Sequence, residues 1–263
     1  MKGVLSYMKR NPRFSLAHLA LITGASSGIG AATALEFGEH GSSVAVHYHK
    51  NREAAEEIVS QIQTQGGQAA AFQADLSKLE EAERLTNEVM EKYGRIDVLV
   101  NNAGSLVDRR LLDEITPDFW ETVVHTNLSS ALWLTQAVAR HMKAAGSGVI
   151  INLSSVAARN GGSLGAMPYA AAKAGLLCMT KGLAKELVSH GIRVNAVSPG
   201  VIDTPFHERF TGPERMRALV SMIPQGRAGT AEEIARVISF LGSCEASHVV
   251  GETIEVNGGL LMD

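Results

Sequence analysis

A seven-stranded, doubly wound parallel α/β sheet flanked by helices on both faces is the fold this chain of 263 residues predicts, and three observations predict it. Short β-branched and apolar runs alternate with longer stretches of helical periodicity. A glycine-rich turn stands between the first such run and the first such helix. No Pro/Ser-rich linker, charge block, internal repeat or low-complexity segment divides the chain. Strand, helix and strand in that rhythm place parallel strands side by side with their helices packed on both faces.

The strands are expected over residues 19–23, 43–48, 69–74, 96–101, 148–153, 193–198 and 252–256, each a short run rich in Val, Ile, Leu or Ala. The clearest helices run over 53–65, 79–93, 119–145 and 169–190, each followed by a glycine (Gly66, Gly94, Gly146, Gly191) able to take the left-handed conformation that closes a helix. The stretch from 199 to 229 is irregular, and within it residues about 200–229 are expected to form a substrate lid, the usual role of so long a loop in a compact enzyme. Residues 16–263 read as one domain, and Met1 to Ser15 as a flexible extension. Its Lys2, Lys9, Arg10 and Arg13 are not read as a targeting segment.

Lys and Arg number 24 against 27 Asp and Glu, and they are mixed along the chain, so no basic stripe for nucleic acid and no polybasic segment for a membrane is expected. The longest apolar runs, such as 148–153, are far shorter than a membrane span. The two cysteines, Cys178 and Cys244, lie in apolar helical surroundings and are expected to be small buried thiols in a reducing cytoplasm. The nine histidines are scattered without ligand spacing, so no metal is expected.

Thr23-Gly24-Ala25-Ser26-Ser27-Gly28-Ile29-Gly30 follows the first strand and opens a helix, the context a dinucleotide-binding turn requires. Gly24 permits the turn, Gly28 lets the backbone approach a pyrophosphate, and Gly30 lets the helix pack closely on the strand. Tyr169 and Lys173, four residues apart, share one helix face, where the ammonium is expected to favour the phenolate form of the tyrosine. Bringing a phenol from about 10 to about 7 asks for roughly 4 kcal/mol of preferential phenolate stabilisation.

With Ser154-Ser155 after the fifth strand, Asp75-Leu76, Asn101-Asn102-Ala103-Gly104, Asn127 and Ser198-Pro199-Gly200-Val201-Ile202, the chain resembles the short-chain dehydrogenase/reductase family from about His18 to Asp263. The resemblance implies a Rossmann-type fold and hydride transfer between a nicotinamide and a carbonyl or secondary alcohol. It implies Tyr169 as proton donor and acceptor, Lys173 on the nicotinamide ribose, and Ser155, with Ser154 as its rival, on the substrate oxygen. Asn127 would anchor a proton-relay water. It further implies cofactor contacts from Gly24, Ser26, Ser27, Gly28, Ile29 and Gly30 around the phosphates. Asp75 and Leu76 would meet the adenine, with Asn102, Ala103 and Gly104 beside it. Pro199, Gly200, Ile202 and Thr204 would lie at the carboxamide. Asp75 has a second reading as a helix cap.

NAD-specific members usually end the second strand with a carboxylate. Here Tyr48 stands there, followed by His49, Lys50, Asn51 and Arg52, so NADP(H) is expected over NAD(H), with His49, Lys50 and Arg52 on the 2′-phosphate. Against this, Ser27 occupies the place where many NADP-dependent relatives carry an arginine. The overall pattern is similar to 3-oxoacyl-[acyl-carrier-protein] reductases and to sugar and polyol dehydrogenases. Gly146 and His190 stand where the former carry basic docking residues, which sets an acyl carrier protein partner in doubt. The expected substrate walls are residues 159–168 with Leu106, Val107, Phe206, His207, Phe210 and Met222. A non-catalytic dinucleotide sensor is the alternative of another class; retention of Asn127, Ser155, Tyr169 and Lys173 speaks against it. Family resemblance also implies a homotetramer, with one interface on the helices over 119–145 and 169–190, whose Leu128, Leu132, Trp133, Leu176, Leu177 and Met179 exceed what one sheet-facing stripe needs, and another on the region from Ala231 to Val256.

Overall fold

All seven strands pair in parallel in the order β3-β2-β1-β4-β5-β6-β7: β1 Leu19–Ile22, β2 Ser43–Tyr48, β3 Gln68–Gln73, β4 Val98–Asn101, β5 Gly148–Leu153, β6 Ile192–Pro199 and β7 Thr253–Val256. The structure, a computed structural model, describes residues 18–262; the expected extension Met1 to Ser15 lies outside them. Every strand expected from sequence is present within a residue or two of its expected ends.

One face of the sheet is covered by α1 (Gly28–Glu39), α2 (Arg52–Thr64) and α10 (Ala231–Gly242), whose Phe37, Ile58, Ile62 and Ile238 pack on Ile22, Val44, Val100 and Ile151. The other face is covered by α3 (Leu79–Tyr93), α5 (Ser130–Ala145) and α7 (Met167–Leu187), whose Leu85, Leu134, Met142 and Leu187 pack on Leu21, Leu99, Ile150 and Val194. Burial on both faces explains the unbroken apolar strands, as in β1, where all four residues are buried. Glycine ends α3 and α5 in the left-handed conformation, at Gly94 (φ 72°) and Gly146 (φ 68°).

Four expectations need correction. The helix over 119–145 begins at Thr116, whose hydroxyl caps α4 (Pro117–Val124), and a π turn over His125–Ser129 separates α4 from α5. The region 200–229 is not wholly irregular: it holds α8 (Pro205–Phe210) and α9 (Pro213–Ser221), each opened by a proline. Cys178 and Cys244 are both exposed rather than buried, because each lies on the outer side of its segment. The apolar surplus of the two long helices is also smaller than its composition suggests. Leu176 is buried and Trp133 packs on the core within the chain, and Leu128 lies against Gly175, which leaves Leu132, Leu177 and Met179 partly exposed.

Candidate active site

Strand order reverses between β1 and β4, so the loops leaving their carboxyl ends diverge and leave a crevice. Thr23 and Asn102 tie the two loops together. The Thr23 hydroxyl accepts from the N–H groups of Asn102 and Ala103 at 2.9 Å each, and the Asn102 amide donates to the carbonyls of Thr23 at 2.7 Å and Gly24 at 3.2 Å. Gly24 (φ 61°) and Gly28 (φ 54°) are left-handed, as the turn demands. Gly30 does not line the cleft; a Cβ there would overlap the Gly24 carbonyl and the Asn102 amide. Ser27 caps α1 without a side-chain hydrogen bond, and among the described residues the N–H groups of Gly28 and Ile29 find no backbone partner, so the helix start offers donors to an anion.

His47, within β2, braces this loop. Its Nδ1 accepts from the Gly24 N–H at 3.1 Å and its Nε2 donates to the Ala74 carbonyl at 3.1 Å. Burial pulls its pKa down to about 4, against the Ala74 hydrogen bond and with the help of neighbouring His49, so the ring is neutral and both nitrogens are satisfied.

Beyond β2, Tyr48 is buried in the core while His49, Lys50 and Asn51 line the cleft. Arg52 does not reach it. As the first residue of α2 its side chain turns outward, 76% exposed, and pairs with Glu56 at 3.6 Å, which corrects its assignment to the 2′-phosphate. Asn51, which caps α2 by accepting from Ala54, takes the vacated place in the wall. Asp75 and Leu76 line the cleft too. Burial raises the Asp75 pKa, but the Ser77 hydroxyl and N–H outweigh it, with His49 and Lys78 adding, and the carboxyl lies below its ordinary range. Lys78, the N-cap of α3, makes no side-chain cap, so Asp75 starts the turn rather than capping the helix directly.

Opposite the glycine turn, β5 delivers Ser154 and Ser155, the short α6 (Ala157–Asn160) follows, and α7 delivers Tyr169 and Lys173. The Ser154 hydroxyl is buried and donates to the Lys173 carbonyl at 3.0 Å, so it is a structural tie. Ser155 is the neighbour that acts on the Tyr169 phenol, and its hydroxyl accepts from the Ala157 N–H at 3.1 Å. The Lys173 ammonium donates to the Leu153 carbonyl at 2.7 Å and stands 5.8 Å from the centre of the Tyr169 ring.

The expected electrostatics differ. Burial pushes the Tyr169 phenol up to about 12, with the Ser155 hydrogen bond opposing, and burial pulls Lys173 down to about 8. At this separation, in a pocket that disfavours both charges, desolvation outweighs the attraction read from the i,i+4 spacing. Beneath them, the side chains of Asn101, Asn152, Thr135 and Thr180 form a buried hydrogen-bonded chain that fixes β4 and β5 to α5 and α7.

Asn127 lies in the π turn, buried, and does not line the cleft. Its amide donates to the Ser105 and Val123 carbonyls at 2.7 and 2.9 Å, and its Oδ1 accepts from the Ser105 N–H at 3.0 Å. A Cβ on Gly104 would sit 2.8 Å from that oxygen and 3.2 Å from the Lys173 ammonium, so both side chains border Gly104 and leave no room for a larger residue there. Single-turn π insertions of this kind occur preferentially at functional sites.

The cleft measures about 1300 Å³, ample for a dinucleotide and a small substrate. Ser26, Ser27, Ile29, Ala103, Gly104, Pro199, Gly200, Ile202 and Thr204 also line it. Of the expected substrate walls, Leu106, Phe206, His207, Phe210 and Met222 line it, together with Asn160, Gly162, Ser163 and Ala166; Val107, Arg159, Gly161, Leu164, Gly165, Met167 and Pro168 do not. From α8, the Phe206 ring lies 5.9 Å from that of Tyr169.

Residues 24–261 match the profile of a family described as enoyl-(acyl carrier protein) reductase. The chain is 42% identical over 247 residues to the 3-oxoacyl-[acyl-carrier-protein] reductase of Synechocystis sp., covering 94% of this chain and 98% of that one. The chain is a short-chain dehydrogenase/reductase. As such it is an oxidoreductase acting on CH–OH donors. This dehydrogenase/reductase is also 41% identical to the 3-oxoacyl-[acyl-carrier-protein] reductase of Thermotoga maritima, covering 93% of this chain and 98% of that one. Among solved structures it is similar to a putative NAD(P)-dependent gluconate 5-dehydrogenase from Beutenbergia cavernae with bound NADP. There the TM-score is 0.88 at 34% identity, over 95% of this chain and 99% of that one. It is similar as well to an NADH-dependent reductase responsible for alginate metabolism, with a TM-score of 0.85 at 34% identity, over 94% and 98% of the two chains.

Proposed function

We propose that this enzyme is an NADP(H)-dependent ketoreductase that interconverts a carbonyl and a secondary alcohol, acting on 3-oxoacyl-type or small ketone substrates. The observation that carries the reading is the convergence of Ser155, Tyr169 and Lys173 on one wall of the cleft, facing the anion cradle of Gly24 to Ile29 on the other. The residues present fit a nicotinamide dinucleotide. The open N–H groups at the start of α1 suit its pyrophosphate, Lys173 its ribose, and Ile202 with Thr204 its carboxamide. Bound there, the nicotinamide supplies the hydride.

The hydroxyls of Ser155 and Tyr169 hydrogen-bond the substrate oxygen and stabilise the charge that develops on it. Tyr169 then delivers its proton to that oxygen. With the phenol held near 12, Tyr169 is protonated at neutral pH, which favours its use as an acid in carbonyl reduction. For alcohol oxidation, bringing it to about 7 would need about 7 kcal/mol from Lys173 and the positive charge of the oxidised cofactor. Lys173, anchored on the Leu153 carbonyl, is placed to hold the ribose and to keep the phenol oriented. Asn127 holds Ser105 and so shapes the floor beside Lys173.

Exposed His49 and Lys50 beside Asn51 support the preference for NADP(H). With a panel of β-keto thioesters, small ketones, diketones and keto-sugars, consumption of NADPH is expected to exceed that of NADH. Lys50→Ala is expected to weaken NADPH binding about tenfold and to leave NADH binding alone. Equal loss for both cofactors, or a wild-type preference for NADH, would reverse the assignment.

A sugar or polyol dehydrogenase is the second reading, favoured by the polar Asn160, Ser163 and Arg109 in the substrate wall. An acyl carrier protein as carrier of the substrate is supported by the names of the relatives and opposed by Gly146 and His190 at the docking positions. We also infer a homotetramer, with the partly exposed Leu132, Leu177 and Met179 at one interface; a monomeric mass in light scattering at micromolar concentration would overturn it. No helix among the described residues is long and apolar enough to cross a membrane, and two free cysteines fit a reducing cytoplasm.

A further inference from the structure

Arg109 enters the cleft from the loop after β4 and meets the two other walls of the substrate side. Its Nε donates to the Phe210 carbonyl of the lid at 3.0 Å. Its Nη1 donates to the Ser163 hydroxyl at 2.9 Å and the Leu164 carbonyl at 3.0 Å. All three partners are neutral oxygens. The two N–H groups of Nη2 have no partner among the described residues, and no carboxylate there lies within ion-pairing distance of the guanidinium. The charge that acts on it most is another cation, Arg215; with burial as the larger cause, this lowers the Arg109 pKa. The exposed Asp108 accepts from the Arg109 backbone N–H at 2.8 Å and pairs with Arg110 at 3.9 Å, Asp203 acts on His207, and Asp118 and Glu121 line the same cleft without pairing with the guanidinium.

The backbone is bent to present this cation. Val107, two residues earlier, has φ 65°, a conformation that a β-branched side chain rarely adopts. It is held there by its N–H on the Ser105 hydroxyl at 3.0 Å, while Arg110 N–H donates to the Gly165 carbonyl at 3.1 Å. Gly165 is left-handed, and a Cβ on it would stand 3.1 Å from the Arg109 Cβ. Strain of this kind gathers where a loop aims a side chain at a ligand.

A half-buried guanidinium with no counter-charge, a like charge acting on it and both N–H groups of one nitrogen open is disposed to receive an oxyanion. We propose that Arg109 determines substrate specificity by receiving an anionic group, a carboxylate or a phosphate, carried by the carbonyl substrate. The proposal rests on the ketoreductase reading and names the chemical class of its substrate.

Two matched pairs test it, each differing only in the anion: acetoacetate against methyl acetoacetate, and acetoacetyl-phosphopantetheine against acetoacetyl-pantetheine. The wild type is expected to reduce the anionic member of one pair at least about tenfold more efficiently in kcat/KM, and which pair shows it tells carboxylate from phosphate. Arg109→Gln is expected to bring that ratio to within about twofold, chiefly through KM, and Arg109→Lys to restore part of it. A ratio near one in both pairs for the wild type overturns the proposal without any variant. So does an Arg109→Gln enzyme whose ratio is unchanged while both members lose equally, the signature of a mere strut for the lid. If none of the four is reduced with either nicotinamide, the ketoreductase reading fails separately. Calorimetric titration with acetoacetate and phosphopantetheine then decides: binding lost in Arg109→Gln upholds the anion site, and no binding to the wild type removes it.

Discussion

Tyr169→Phe is expected to lower carbonyl reduction by about 10²- to 10⁴-fold, the range typical for loss of a general acid. The substitution deletes one oxygen and keeps the ring that packs against Phe206, so that contact and the α7 backbone persist. Dinucleotide binding, measured by fluorescence titration, is therefore expected to survive within about threefold. Ser155 alone would still hydrogen-bond the substrate oxygen, but no proton would reach it from the protein. The variant carries a second signature. In the wild type the folded phenol titrates near 12, above the ordinary value of 10, so the unfolded chain releases its proton first. Stability is then lost as pH rises through that window, and Tyr169→Phe removes this share of the alkaline loss. Turnover within about threefold of the wild type would take the proton transfer away from Tyr169. Loss of turnover together with loss of dinucleotide binding would show that the phenol shapes the cleft rather than reacting.

The strands and most helix boundaries were legible in the sequence because their signals are local. Gly94 and Gly146 mark helix ends through their own backbone freedom, and the buried runs of β1, β5 and β6 advertise a sheet covered on both faces. Most of the cleft followed, since a doubly wound sheet fixes where its loops converge. What was not legible depends on neighbours distant in sequence. The π turn at His125–Ser129 accompanies the hold of Asn127 on Ser105, twenty-two positions away. Arg52 shares a basic cluster with Lys50 in sequence, yet its place on the first turn of α2 aims it at Glu56. The Tyr169 and Lys173 spacing gave their proximity correctly but carried no information about desolvation, which reverses the expected direction of the phenol's shift. His47 and Arg109 were overlooked in the same way: a histidine within a buried strand and an arginine in a loop acquire meaning only from the Gly24 and Phe210 backbones they reach.

Gly30→Ala is expected to disable dinucleotide binding although Gly30 does not touch the cleft. The added methyl would meet the Gly24 carbonyl and the Asn102 amide, and neither can yield cheaply. The Asn102 amide is committed to the Thr23 carbonyl at 2.7 Å, and the Gly24 N–H is pinned by His47 at 3.1 Å. Relief therefore requires the α1 start to move away from the turn that presents its N–H groups. Forced overpacking of this kind costs about 1–3 kcal/mol. Where the strain falls on the groups that cradle the pyrophosphate, a loss of about tenfold or more in NADPH affinity follows. Gly28→Ala separates space from backbone conformation. Its methyl would find ordinary contact with Thr204 at 3.5 Å, but φ 54° leaves a left-handed alanine, at a cost of about 1 kcal/mol. Gly66→Ala is the control for stability alone: it is left-handed at φ 87° with open space around it, on the far side of α2, and should lower Tm without altering the dinucleotide affinity. Thermal unfolding and NADPH titration of the three variants distinguish these cases. If Gly30→Ala binds NADPH as tightly as the wild type, the close packing of α1 on the β1 turn is not what holds the cradle in place.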